Sequence, residues 1–214
     1  MVARSRPIKL LVLCTLGMLV GFAANGAESL SDRLSALEMV KLKAGANWVR
    51  GFAGGGRSAL ITYGWRDNGN AHGFNVYVVM LPTRPGGTDW NIVGVETQSE
   101  LEPIVTDSPH TGEDVVKSVR FALGLLDGRR ATLMFTATRD LNPDQGIPDP
   151  SKTEIVVYAL RVNTEGVGST QDYFAPIGNF TTSSLYCNAD MALHQELSIP
   201  LPMTYSGPRT STGC

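Results

Sequence analysis

Hydrophobic and polar residues alternate along most of the chain with the two-residue period of a β-strand. Within Gly73–Leu81, every second position from Phe74 to Met80 is hydrophobic, and Asn75 and Tyr77 lie between them on the other face. Such a run predicts a strand.

The clearest unit is a β-hairpin. Hydrophobic residues alternate from Val119 to Leu125, the dipeptide Asp127-Gly128 follows, and alternation resumes over Leu133, Phe135 and Ala137. An Asp-Gly pair between two alternating runs predicts a two-residue turn, because both positions need a positive φ. Further strand candidates, bounded by turn residues, are Ala44–Phe52, Ser58–Arg66, Trp90–Glu96, Thr153–Val162 and Tyr173–Thr182.

Helical spacing is found near the two ends of the chain. Ser29–Val40 places Leu30, Leu34, Leu37 and Val40 three or four residues apart, which predicts a helix. Asn188–Leu197 predicts a second helix, which begins with an Asn cap and precedes Pro200. Many strands with polar turns and no alternating helices predict an antiparallel β-sandwich with short N- and C-terminal α-helices.

The first 27 residues have the three-part pattern of a secretory signal peptide. A basic start (Arg4, Arg6 and Lys9) precedes an apolar run from Leu10 to Ala24, and small residues follow. A retained membrane anchor is the alternative, but fifteen apolar residues span roughly 22 Å of a core about 30 Å thick. We therefore expect a signal peptide at 1–27, a β-sandwich domain at 28–201, a C-terminal tail at 202–214, and export to the periplasm.

Composition and charge exclude some classes of protein. The chain has 214 residues, of which 43% are hydrophobic and 18% charged, so it can bury a core. Three of its 18 basic residues fall within 1–27, which leaves 15 against 20 acidic residues and a formal charge of −5. We expect no nucleic-acid partner, because such proteins need a basic face, and no membrane span after removal of the signal.

Two of the three cysteines, Cys187 and Cys214, remain after residue 27. In an oxidising compartment such a pair favours a disulfide that ties the proline-rich tail to the domain. A free thiol at Cys214 and an intermolecular bridge are the alternatives.

No catalytic motif is present in the sequence. No serine lies in a Gly-x-Ser-x-Gly motif or three residues before a lysine, and no paired-His zinc motif occurs. We therefore expect that the protein is not an enzyme, although folding can bring distant residues together.

Two polar loops are candidate ligand-binding segments, because loops on a rigid sheet are common binding surfaces. Each is also compatible with an ordinary polar turn. The candidate contacts are Arg66, Asn70 and His72 in the first loop, and His110, Thr111, Glu113 and Asp114 in the second.

A third loop suggests a cation site. Asp140, Asn142 and Asp144 have the alternate spacing with which calcium loops supply oxygen ligands. The following glycine is one place late and Ser151 stands at the twelfth position, so an EF-hand is excluded. A looser calcium-like site and a solvated acidic loop both remain open, and no other cofactor is expected.

Several segments resemble the CarG-type carbapenem intrinsic-resistance family of exported bacterial proteins. They are ITYGWRDNGNAHGFNVYVVML, DWNIV, TDSPHTGEDVVKSVRFA and YCNADMALHQEL, within a resemblance that extends from about Gly45 to Leu201.

The resemblance implies a β-sandwich flanked by terminal helices, with a fold similar to that of periplasmic inhibitors of invertebrate-type lysozyme. It also implies protection against a carbapenem-type β-lactam without its hydrolysis, by binding or shielding. The alternatives are an inhibitor of a lysozyme or other cell-wall hydrolase, and an unrecognised hydrolase. The expected partner is thus a small β-lactam or a cell-envelope protein, and the sequence leaves a homodimer open.

Overall fold

The computed structural model describes residues 26–69, 73–98, 100–109, 115–141, 149–164 and 170–214. Two helices, α1 (Gly26–Arg33) and α2 (Ala189–Leu197), lie near the ends of this part of the chain. Between them are the strands β1 (Leu34–Met39), β2 (Gly45–Ala53), β3 (Arg57–Arg66), β4 (Phe74–Pro82), β5 (Trp90–Ile92), β6 (Gly94–Glu96), β7 (Leu101–Glu102), β8 (Val105–Thr106), β9 (Lys117–Leu126), β10 (Arg129–Arg139), β11 (Thr153–Val162) and β12 (Asp172–Thr181).

The strands form two sheets. In the larger sheet the order is β1-β9-β10-β11-β12-β6-β7, and in the smaller sheet it is β2-β3-β4-β5, with β8 also paired to β4. The pairs are antiparallel except for β12 with β6, which is parallel. The protein is therefore mainly β and sandwich-like, as the alternation predicts.

The larger sheet is covered on both faces. Met134 of β10 joins Phe52, Phe121 and Phe174 in the core between the two sheets. The neighbouring Phe135 faces the other way, into a second core with α2. Because β10 is buried on both sides, the fold has three layers: helices, larger sheet and smaller sheet.

The hairpin and the second helix agree with prediction. Asp127 and Gly128 have φ values of 51° and 74° between the paired strands β9 and β10. Asn188 caps α2, where its side-chain oxygen accepts hydrogen bonds from the backbone N–H groups of Asp190 (2.9 Å) and Met191 (3.4 Å).

The prediction of one helix over Ser29–Val40 is wrong in its second half. The helix ends at Arg33, and β1 pairs with β9. A β-bulge between Ser35 and Glu38 adds one residue to β1, and Ala36 has a φ of 50°. Because of the bulge, Leu34 and Leu37 both pack against the core that contains α2. An edge strand therefore has hydrophobic residues three positions apart, as a helix does.

The single strand predicted over Trp90–Glu96 is two strands in different sheets. β5 pairs with β4 in the smaller sheet, and β6 pairs with β12 in the larger one. Val93 lies between them with 2% of its surface exposed, and its N–H donates to the Val79 carbonyl. The chain therefore crosses between sheets at a residue that local alternation does not distinguish.

The tail is joined to the domain as predicted. Cys187 and Cys214 form a disulfide with a Cα–Cα distance of 5.1 Å, and the N–H of Cys187 donates to the Thr212 carbonyl. The predicted signal peptide lies outside the described residues except for Gly26 and Ala27, with which α1 begins. In the described part of the chain, neither helix has the length and apolar character needed to span a bilayer.

Candidate functional site

Pairing of β4 with β8 brings the two predicted binding loops to one end of the smaller sheet. Val76 pairs with Thr106, so the start of β4 lies beside the end of β8. The first loop joins β3 to β4 and the second joins β8 to β9. Ser108 then bridges to Lys117 at the start of β9. The two loops therefore leave the fold as neighbours.

Of the predicted ligand contacts, Arg66 lies within the described residues. Its guanidinium carbon is 5.1 Å from the centroid of the Phe74 ring, and these two residues pair across β3 and β4. The predicted contacts outside the described residues are Asn70, His72, His110, Thr111, Glu113 and Asp114.

Asp107 organises the base of these two loops. Its carboxylate accepts hydrogen bonds from the Tyr77 hydroxyl (2.5 Å), the Asn75 backbone N–H (3.0 Å) and the Asn75 side-chain amide (2.9 Å and 3.0 Å). Tyr63 stacks on Tyr77 with ring centroids 4.9 Å apart and planes 4° apart. Together with Lys117, these residues (Tyr63, Asn75, Tyr77, Asp107 and Lys117) form what we call the Asp107 corner.

Burial shifts the pKa values of the corner. Loss of solvent raises the pKa of Asp107 above its ordinary value, and the hydrogen bonds from Tyr77 and Asn75 partly offset the shift. Burial lowers the pKa of Lys117, against the attraction of the nearby Asp107 charge. Burial also raises the pKa of Tyr63 and of Tyr77. Clusters of shifted groups are common at functional sites, which makes this corner a candidate.

Helix α2 adds a second buried carboxylate close to the corner. Asp190 accepts a 2.6 Å hydrogen bond from the Ser118 hydroxyl and lies 3.6 Å from the Arg120 guanidinium. Burial raises the pKa of Asp190, while Ser118 and Arg120 act in the opposite direction. The Asp190 charge also contributes to the raised pKa of Asp107. Charged groups from the residue after β8, from β9 and from α2 thus lie close together at this end of the fold.

The described residues of the corner offer groups that can bind a ligand. Lys117 supplies a cation for an anionic ligand, and Tyr63 supplies a half-buried aromatic ring, whereas Arg66 lies over Phe74 on the outer face of the sheet. The third histidine, His194, bonds through Nδ1 to the Ile199 carbonyl (3.0 Å) at the end of α2, so it contributes to the helix terminus.

The structure shows part of the predicted cation loop. Asp140 is exposed and its N–H donates to the Lys152 carbonyl, whereas Asn142 and Asp144 lie outside the described residues. Across the described ranges, no group of three or more His, Cys, Asp or Glu side chains is placed to hold a metal ion. The calcium-like site stays a prediction.

A groove of about 460 Å³ is a second place for a small ligand. It lies between the turn Gly54–Gly56 and the strands β1, β9 and β10, and its polar side chains are Glu38, Arg130 and Thr132. Its volume is within the usual range for small-molecule sites. The groove shares no lining residue with the Asp107 corner.

The fold defines the class of the protein as a two-sheet β-sandwich with a helix near each end of the described chain. It is similar to the crystal structure of CarG, with a TM-score of 0.58 and 20% sequence identity over 73% of this chain and 94% of that one. At this identity the likeness shows the fold alone. No family model matches the sequence, and a search of curated proteins finds no match.

Sequence reasoning missed the role of Asp107 and Lys117. Asp107 had the signal of an ordinary turn residue, and Lys117 that of a polar residue at the start of a strand. The one usable signal was the placement of Asn75 and Tyr77 on a common face of β4. That face is turned into the sandwich, and a buried amide and hydroxyl require partners.

Proposed function

We propose that this protein protects a bacterial cell against a carbapenem-type β-lactam without hydrolysing it, by binding or shielding the drug. The fold similarity to CarG, over nearly the whole of that chain, carries the proposal. The resemblance of sequence segments to the CarG-type resistance family supports it. The Cys187–Cys214 disulfide fits a periplasmic location, because disulfides persist in oxidising compartments.

The Asp107 corner is the proposed site of contact. A carbapenem is a compact ring system that carries a carboxylate. Lys117 supplies positive charge, and the predicted contacts His72 and His110 belong to the two loops that leave the corner. Binding at this place requires no activated nucleophile, and the protein is proposed not to be an enzyme.

Calorimetric titration with a simple carbapenem tests the proposal on the protein without residues 1–27. We expect heat of binding while the absorbance of the β-lactam ring stays constant. Loss of ring absorbance at substoichiometric protein would show turnover and contradict the proposal. Absence of both signals would also contradict it, and suppression of lysozyme at stoichiometric amounts would then favour the inhibitor function.

Two matched substitutions locate the site. Lys117→Met removes a cation from the corner, and Arg130→Met removes one from the groove. A charge-assisted hydrogen bond contributes about 1.5–3 kcal/mol, so loss of the contacting cation weakens binding by roughly tenfold or more. We expect that loss with Lys117→Met. The same loss with Arg130→Met alone would place the drug in the groove.

A further inference from the structure

The outer face of the smaller sheet is apolar and exposed. Trp48, Leu60, Met80 and Ile92 are paired in register across β2, β3, β4 and β5, so their side chains share one face of the sheet. Ala59 and Ile61, which flank Leu60, are fully buried in the core between the sheets, and this shows that the shared face points outward. We call it the Trp48 face.

Two tryptophans dominate the Trp48 face. Trp48 is 64% exposed and Trp90 is 36% exposed, with ring centroids 5.3 Å apart and planes at 75°. Ile92 is 42% exposed beside them. The described helices pack on the larger sheet, so neither of them covers these side chains.

The charge on this face has one sign. At the outward positions of β2, β3, β4, β5 and β8, the charged side chains are Arg50, two residues after Trp48, and Arg66, which lies over Phe74. None of these positions is Asp, Glu or Lys. Protein interfaces are enriched in Trp, Met and Arg and depleted in Lys, Asp and Glu, and this face has the same composition.

The two arginines bracket the apolar surface. Arg50 follows Val49, which pairs with Ala59, whereas Arg66 ends β3. Measured along β3, the two arginines are about eight residues apart, and at about 3.3 Å a residue this distance is roughly 26 Å. A helix covers that distance with about 17 residues.

We propose that the Trp48 face binds a partner protein through an amphipathic segment that has carboxylates near both ends of an apolar stretch. Opposite charges would then meet Arg50 and Arg66 while apolar side chains cover the tryptophans. A second copy of this chain fits less well, because it would bring arginines to a face whose own charges are arginines. The basic N-terminal residues Arg4, Arg6 and Lys9 are likewise unsuited to it.

A designed probe tests this inference independently of carbapenem binding. The probe is a 17-residue helical peptide with a leucine-rich stripe and two Glu residues at each end. Its control has Gln in place of Glu. Tryptophan fluorescence of the protein reports binding of each peptide at low and high salt.

We expect the Glu peptide to bind at least about tenfold more tightly than the Gln peptide at low salt, with the difference lost at high salt. Trp48→Ala should weaken binding by tenfold or more, as expected for a central aromatic contact. Arg50→Glu should abolish the preference for Glu over Gln. The controls Leu185→Ala and Arg129→Glu, exposed residues away from the face, should change binding less than twofold.

Four outcomes would overturn the proposal. Equal binding of the two peptides, or no binding of either, would show that the face does not select a segment with carboxylates. Trp48-dependent partition into phosphatidylglycerol-containing vesicles without peptide binding would assign the face to a membrane surface. A concentration-dependent dimer that is lost in Trp48→Ala would assign it to a second copy.

Discussion

The buried ion pair between Arg57 and Asp172 joins the two sheets and permits a quantitative prediction. Arg57, at the start of β3, donates to both carboxylate oxygens of Asp172, at the start of β12, at 2.7 Å and 2.6 Å. Arg57 also donates to the carbonyls of Gly54 (3.4 Å) and Pro82 (3.3 Å). The exposed fractions of the two residues are 8% and 2%.

Arg57→Met should lower the free energy of unfolding by about 3–5 kcal/mol, because it leaves the Asp172 carboxylate buried without its partner. At about 2–4 °C per kcal/mol for a domain of this size, Tm should fall by roughly 6–20 °C. Asp172→Leu should have a similar cost. The double variant Arg57→Met/Asp172→Leu should recover most of the loss, since no buried charge remains.

Urea denaturation of the four proteins measures the cycle, and circular dichroism gives Tm. As a control, Arg33→Met removes the cation of the Arg33–Asp127 pair, which is exposed, so it should have a much smaller effect. A loss below about 1 kcal/mol for Arg57→Met, or additive losses in the double variant, would refute the reasoning. Either result would mean that water reaches Asp172 in the folded protein.

Three further predictions concern the corner, the cap and the tail. Burial raises the pKa of Asp107 in the folded state, so its contribution to stability is present below the unfolded pKa near 3.8 and is lost as pH rises through the folded pKa. The stability of the wild type relative to Asp107→Asn should therefore decrease with pH in that window in urea titrations, and an increase would contradict the assignment. Asn188→Ala should cost about 1 kcal/mol by loss of the α2 cap, whereas Asn188→Ser, which keeps an uncharged acceptor at this buried position, should cost less in the same assay. Cys214→Ala removes the disulfide, which joins residues 27 positions apart, and should destabilise the protein by about 3.5 kcal/mol in the loop-entropy model. If neither this variant nor reduction of the wild type changes Tm, the disulfide has no stabilising role.

Local patterns predicted elements whose signals lie within a few neighbouring residues. The Asp127-Gly128 turn and the Asn188 cap depend on backbone angles and hydrogen bonds within one turn of chain, and both are confirmed. Strand β11 begins and ends at the predicted residues, Thr153 and Val162. Alternation was sufficient for β11 because this strand lies between β10 and β12 and pairs with β10 in a regular register.

Local patterns failed where a distant partner decides the conformation. The spacing of Leu34 and Leu37 is compatible with a helix, and pairing with β9 through a bulge makes it a strand. Alternation in β4 identified its two faces but not the buried one. Tyr77 and Asn75 turn inward, and the more hydrophobic face with Val78 and Met80 turns outward.

The sequence by itself determined a mainly β protein with a small negative formal charge of −2, two cysteines near its C-terminal end and two polar loops. These follow from composition, two-residue periodicity and turn chemistry, which act over short stretches of chain. The tertiary structure alone decided that β8 lies against β4, and so placed Asp107 under Tyr77 and near Lys117. Burial then shifts the pKa of Asp107 upward and that of Lys117 downward, because desolvation depends on neighbours that are distant in sequence. The exposure of Trp48 and Trp90 was decided in the same way, since both helices pack on the opposite sheet.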